Sequence, residues 1–496
     1  VRFPRSAGIL LHPVSLPGPD GIGDLGPDSH RWLEWLSSAG QRIWQVLPLG
    51  PTGLGDSPYQ SYSAFAGNPL LVSAEWLRRD GLLDAADLAD RPAFPVDRVA
   101  YPAVAAWKRR LLDRAFARLS SGVDRTLHTR IEAFRSRHAW WLDDYARYMA
   151  LKAESGGTDW SAWEPAVRDR EPDALAAVDR RLAGAIELER FGQFLFDQHW
   201  QALHEHAAAL GIRIFGDIPI FVAHDSADVW AHREWFRLSP DGMPEVVAGV
   251  PPDYFSATGQ RWGNPLYRWD HMEQDGFAWW IARLRAVLER VDIVRLDHFR
   301  GFEAFWEIPV DAPTAVTGRW VTGPGARFLD AVRDALGEVP IVAEDLGVVT
   351  PAVETLRDRY QLPGMKVLQF AFADDDRNPF LPHHHPVNAV VYTGTHDNDT
   401  TRGWYQNGAT DGERDHVRRY LKSDGRDIAW DLIDAAFASR AHTAIVPFQD
   451  VLDLGSAARM NVPGRPEGNW AWRFRWEDVP ASAAHRLRTV TEHHGR

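Results

Sequence analysis

The sequence predicts an α/β protein: a (β/α)8 TIM barrel with large helical and loop insertions at the C-terminal face of its strands. Three observations predict it. Eight short apolar runs are bounded by Gly, Pro or polar clusters, the pattern of buried strands. From the third run onward, each is separated from the next by a segment that can hold a helix. Three of the later runs end in acid-bearing residues, at Asp297, at Glu344-Asp345 and at Asp397. Carboxylates are costly to bury without partners. A parallel barrel accounts for three at equivalent positions, because its strand ends converge on the one face that holds the active site.

In chain order, the strands are expected at residues 8–16, 42–49, 213–220, 292–299, 340–346, 365–370, 389–395 and 442–448. Helices are expected at 279–291, 325–336 and 350–360. The spacing is uneven. After the second strand comes a Gly/Ser/Tyr-rich loop, 51–69, and then helical patterns. Trp107, Leu111, Leu112, Ala115, Phe116 and Leu119 recur at helical spacing with charged residues between them. Segments 131–152 and 182–210 look similar. We divide the chain into the start of the barrel with a site loop (1–70), a mainly helical inserted subdomain (71–195) and the remainder of the barrel (196–496). Within the last, residues 225–268 form an inserted loop region rich in Pro, Gly and aromatics. Loops at this face build specificity, so both insertions should wall the site.

Composition narrows the function. The 496 residues suit a barrel with insertions, and 45% hydrophobic content supplies a large core. A net charge of −13 argues against a nucleic-acid partner, which would require basic patches. With no cysteine there is no disulfide and no thiolate metal site. No stretch has the length of a membrane span, and the first eleven residues lack a long apolar region, so the expected location is cytoplasmic, away from membranes. The 23 tryptophans are read mainly as core volume, though aromatic faces also stack on sugar rings.

The chemistry is read from the strand ends. Asp297 and Glu344 end the fourth and fifth runs, which are neighbours in a barrel. Neighbouring strands lie about 4.8 Å apart, compatible with the carboxylate gap of about 5–5.5 Å in retaining glycosidases; inverting enzymes need a wider one. Arg295 is two residues before Asp297 and so shares its face, where a guanidinium keeps a nucleophilic carboxylate ionised. Glu344 would carry the proton for the leaving oxygen, and Asp345 alternates to the other face to brace a loop. Asp397 with His396 could hold sugar hydroxyls, and Asp217 offers another hydroxyl contact or a partner for Arg295. Ser57 could touch a sugar or make a turn with Pro58. A covering loop, 249–264, with Tyr254, Phe255 and Trp262 could hold an acceptor and exclude water. His383-His384-His385 is read as a solvated loop and Asp374-Asp375-Asp376 as a solvated charge run, so no metal and no cofactor are expected.

Six segments taken together resemble the amylomaltases, or disproportionating enzymes, the 4-α-glucanotransferases of glycoside hydrolase family 77 in the α-amylase clan. They are Asp56-Ser57-Pro58-Tyr59-Gln60, Gly216-Asp217-Ile218-Pro219, Arg295-Leu296-Asp297-His298-Phe299-Arg300-Gly301, Ala343-Glu344-Asp345-Leu346-Gly347, Thr395-His396-Asp397-Asn398 and Asn461-Val462-Pro463-Gly464. The resemblance spans nearly the whole chain. It implies Asp297 as nucleophile, Glu344 as acid/base and Asp397 as transition-state stabiliser, with Arg295, Asp217 and His396 at the glucosyl subsite. Ser57, Tyr59, Tyr254, Phe255, Trp262 and Asn264 are the remaining substrate-binding candidates, and the aromatic second insertion matches the family's loop over the acceptor. Leu54 departs from the pattern where some relatives carry Tyr, which puts a secondary glucan contact in doubt. The implied reaction is transfer of α-1,4-glucan segments from maltooligosaccharides or starch-type glucans to the 4-hydroxyl of another glucan or glucose, through a covalent glycosyl-enzyme. The carboxylates alone do not separate transfer from hydrolysis; the resemblance does. A silent glucan-binding barrel is opposed by the complete pair of acids.

Overall fold

The computed structural model describes residues 3–120, 122, 125–252, 256–465 and 467–496. Twelve strands lie among the described residues: β1 (Ser6–Leu10), β2 (Ile43–Gln45), β3 (Arg213–Pro219), β4 (Val246–Val250), β5 (Gln260–Pro265), β6 (Ile293–Asp297), β7 (Ala304–Pro309), β8 (Arg319–Thr322), β9 (Ile341–Ala343), β10 (Gly364–Val367), β11 (Ala389–Tyr392) and β12 (Thr443–Pro447). Eight of them form one parallel sheet in the order β10-β11-β12-β1-β2-β3-β6-β9. The amide of Ala343 donates to Pro363 O at 2.8 Å, which brings β9 against β10 and nearly closes the ring. The expected barrel is present.

Its strands are Val/Ile-rich and buried on both faces, as a parallel sheet under helices requires. At Gly8 a Cβ would lie 2.4 Å from Ile43 O, so only glycine lets β1 and β2 meet there. The ladders are shorter than the apolar runs. β1 stops at Leu10, and the chain turns at Pro13–Ser15. Residues 368–370 form a turn after β10, and its first residue, Leu368, is fully buried. Burial continues past the last ladder bond, so hydrophobicity overstates strand length.

Helices Tyr101–Ser120, Arg125–Glu154 and Ala183–Ala209 dominate the first insertion. The last runs unbroken through residue 195 and leads to β3, so that insertion and barrel share a helix. Lys108 also ties the two together. It donates to Asp20 and Asp24, both from the barrel's first loop, at 3.2 Å each, and to Val72 O at 2.9 Å.

The second insertion differs from the expected loop. β4 and β5 lie within it and pair antiparallel with each other, and β4 also pairs antiparallel with β7, which follows β6, in the order β5-β4-β7-β8. The β4 partner, β7, is more than fifty residues downstream, so local pattern alone does not reveal the pairing. No described helix is long and apolar enough to cross a membrane.

Candidate functional site

Asp217 on β3 and Arg295 on β6 are cross-strand partners in register. Arg295 Nη1 donates to Asp217 Oδ2 at 2.7 Å and Oδ1 at 3.0 Å, and its Nη2 lies 2.7 Å from Asp297 Oδ1. One guanidinium therefore bridges two carboxylates. Burial alone would weaken the Arg295 cation, but Asp217 and Asp297 outweigh it and hold its pKa well above the ordinary value. Asp217 is raised by burial, with Arg295 opposing. The Tyr59 hydroxyl completes its shell, donating to Oδ2 at 2.7 Å. The Asp297 side chain is 27% exposed and that of Asp217 is fully covered, so Asp297 is the more accessible of the two acids.

Glu344 lies one residue beyond β9. The register Leu296↔Ala343 makes Asp297 and Glu344 the next cross-strand pair. Its Oε2 accepts from His298 N and its Oε1 from Leu346 N, both at 2.8 Å, which fixes the carboxyl plane and leaves a free lone pair on each oxygen for a proton. Burial raises this carboxyl to about 7; Arg295 opposes the rise and Asp297 adds to it. Asp345 turns away and braces β10, accepting from Met365 N at 2.7 Å and Arg357 Nη1 at 2.5 Å.

Asp397 follows β11 in a tight turn. Asn398 Oδ1 accepts from the amide and hydroxyl of Thr395, both at 2.9 Å. Asp450 holds the turn from behind, accepting from Thr393 Oγ1 at 2.6 Å and from Thr401 N and Oγ1 at 2.7 Å each. His396 Nε2 is 3.4 Å from Asp397 Oδ2, and burial lowers the histidine's pKa. Its ring stacks on Tyr59 at 5.2 Å, and Trp470 lies against both, 5.7 Å from Tyr59 and 5.9 Å from His396.

Further contacts at Asp397 join residues distant in the chain. Asn461 Nδ2 donates to Asp397 Oδ1 at 2.6 Å and Arg459 Nη2 to Asp397 O at 2.5 Å. Asn461 heads a motif already singled out, so a signal for it existed. Trp470 was hidden among the other tryptophans. Trp262, on β5, meets His298 edge-on at 4.8 Å, so the small antiparallel sheet places this ring beside the carboxylates.

Other candidates have different roles. Asn264 is buried, with Nδ2 on Val222 O at 2.9 Å and Oδ1 taking Gln60 Nε2 at 3.3 Å; both ends of its amide fasten loops together. Ser57 Oγ accepts from Tyr59 N at 3.2 Å, a turn that orients Tyr59. Tyr254 and Phe255 lie outside the described residues. Leu54 is 82% exposed on the site loop. The His383–His385 reading needs correction. His385 is not solvated but buried between Ser439 Oγ (2.7 Å) and Phe380 O (2.8 Å), because it packs against the C-terminal end of the helix Ile428–Ala438.

Comparison with known proteins gives one family. The glycoside hydrolase family 77 model, described as 4-alpha-glucanotransferase, matches residues 11–478. A 4-alpha-glucanotransferase of Thermus thermophilus is 54% identical over 500 residues, covering 99% of each chain, and one of Synechocystis is 48% identical, covering 99% of this chain and 98% of the relative. The solved amylomaltase of Streptococcus agalactiae in complex with acarbose superposes with a TM-score of 0.96 at 35% identity, covering 99% of both chains. The chain belongs to the 4-alpha-glucanotransferase family.

Proposed function

We propose that the chain transfers α-1,4-glucan segments by a retaining double displacement at Asp297 and Glu344. An Asp297 oxygen attacks the anomeric carbon of a bound maltooligosaccharide or starch-type glucan. The C1–O4 bond breaks, and the leaving oxygen takes the Glu344 proton. Glu344, now a carboxylate, removes the proton from the 4-hydroxyl of an acceptor glucan or glucose. That oxygen attacks C1, and Asp297 leaves. The observation that carries this reading is the adjacency of an exposed carboxylate clamped by Arg295 and a buried carboxyl raised to about 7. A partly exposed carboxylate held by a guanidinium and, beside it, a buried carboxyl raised by burial are suited to nucleophile and acid.

Asp397, oriented by Asn461, grips hydroxyls of the reacting ring together with His396. Tyr59 sets the position of Asp217, and Trp262 offers a platform on the acceptor side that favours a sugar hydroxyl over water.

Incubation with maltotriose tests the reading. Glucose plus a ladder of longer oligomers is the expected product, and glucose and maltose without elongation would sink it. A Glu344→Gln variant given α-maltotriosyl fluoride, whose leaving group needs no acid, should accumulate a maltotriosyl ester that peptide mass mapping locates on Asp297. An adduct elsewhere would reassign the nucleophile.

A further inference from the structure

A cavity of about 600 Å3 is lined by residues of the helix Ile428–Ala438, the C-terminal helix Ala483–His493 and the turn Pro382–His384. The turn leads into β11 and the first helix into β12. The cavity therefore lies at the N-terminal ends of these strands, on the side of the barrel opposite the carboxylates.

Its lining has a definite chemistry. Asp431 and Asp434 are balanced by Arg440 and Arg486, so neither an anion nor a cation is favoured. Asp434 Oδ1 takes His494 Nε2 at 2.8 Å and Asp431 Oδ2 takes the Ser423 hydroxyl, which leaves one oxygen of each carboxylate without a donor among the described residues. Arg440 makes no hydrogen bond or ion pair among the described residues. The rings of Tyr420 and His383, stacked at 5.7 Å, supply apolar surface, and Trp430 lies buried beneath the Arg486 guanidinium, 4.1 Å over its ring. Free acceptors, a free donor and aromatic walls without net charge suit a neutral polyhydroxylated ligand. A purely structural role is conventional for this face of a barrel; here Arg486 pairs with Asp427 and Asp434 with His494, but Arg440 has no partner among the described residues and the space between the helices is unfilled.

We propose that this cavity is a non-catalytic binding site for an α-1,4-glucan chain, holding polymer on the molecule while the opposite face acts on chain ends. The choice of glucan rests on the function proposed above. Tethering raises the local concentration of ends without changing the chemistry. It should therefore lower KM for long glucans and leave short ones alone.

The chain has no cysteine, so His384→Cys, at an exposed position beside His383, creates a sole thiol for an environment-sensitive dye. Titration with maltoheptaose should give a saturable response. Asp434→Ala with Arg440→Ala should weaken it about tenfold or more, and Ala438→Trp, which fills the cavity, should abolish it. In unlabelled protein the same changes should raise KM for amylose severalfold and leave kcat/KM for maltotriose unchanged, which also shows that the variants are folded. No saturable response, a response that survives the substitutions, or an equal response to cellopentaose would overturn the proposal. Failure of wild type to disproportionate maltotriose would instead sink the function proposed above, and the dye titration does not depend on turnover.

Discussion

The charge state of Glu344 sets how the site responds to pH. Burial lifts its carboxyl to about 7, so the free enzyme holds the proton that the proposed first step uses below that pH and loses it above. The sign follows from which form is active: kcat/KM for a maltooligosaccharide donor is expected to stay level on the acid side of about 7 and to fall about tenfold per pH unit beyond it. Initial-rate profiles on maltotriose check this, and a level profile up to pH 9 would remove Glu344 from the acid role. Arg295 makes a second residue-scale test. Its planar fork reaches Asp217 and Asp297 at once, which a lysine ammonium cannot reproduce. Arg295→Lys should lower kcat/KM by about 10²-fold or more, with the fold kept by circular dichroism. The carboxylates and Arg295 were legible because each side chain's face follows from period-2 alternation. Asn461 was marked only by the motif it heads, with nothing to assign it to Asp397, and Trp470 was not legible, since both reach the site from a loop that carries no periodicity.

At the scale of elements, the turn after β11 depends on Asp450. Its buried carboxylate accepts from two threonine hydroxyls and one amide, and these contacts hold both flanks of the segment bearing His396 and Asp397. Asp450→Ala would strand three donors, at about 1–3 kcal/mol for each that stays buried and unpaired. We expect a loss of roughly 3 kcal/mol in urea unfolding, and a fall in kcat larger than any rise in KM, because the turn positions the groups proposed to act on the reacting ring. A variant with reduced stability but unchanged kcat would limit Asp450 to a structural role. The antiparallel sheet is the other decisive element. It places Trp262 beside His298, yet its strands read as loop because β4 pairs with β7, which lies beyond β6 in the chain. Pairing between distant segments leaves little trace in local sequence.

At the scale of the molecule, the helical insertion is fastened to the barrel by a buried charge cluster. The Lys108 side chain is 5% exposed and those of Asp20 and Asp24 are 2% and 10% exposed. Burial would weaken the Lys108 ammonium, but the two aspartates outweigh it and raise its pKa. Lys108→Met leaves the buried Asp24 without its paired cation and Asp20 with Arg91 alone, a change that costs about 3–5 kcal/mol. Urea denaturation followed by tryptophan fluorescence should show that loss, and an unchanged midpoint would mean that the junction relaxes to admit water.

The sequence by itself determined the barrel, the order of its strands and which acids stand at their ends. Those features follow from hydrophobic periodicity and side-chain alternation, which are local properties of the chain. Only the tertiary structure decided how the acids differ. The amides of His298 and Leu346 fix Glu344, Arg295 spans Asp217 and Asp297, Asn461 takes Asp397, and a sheet assembled from both sides of β6 sets Trp262 near them. Each of these joins residues far apart in sequence, and a carboxylate's charge depends on the burial and partners that such joining creates.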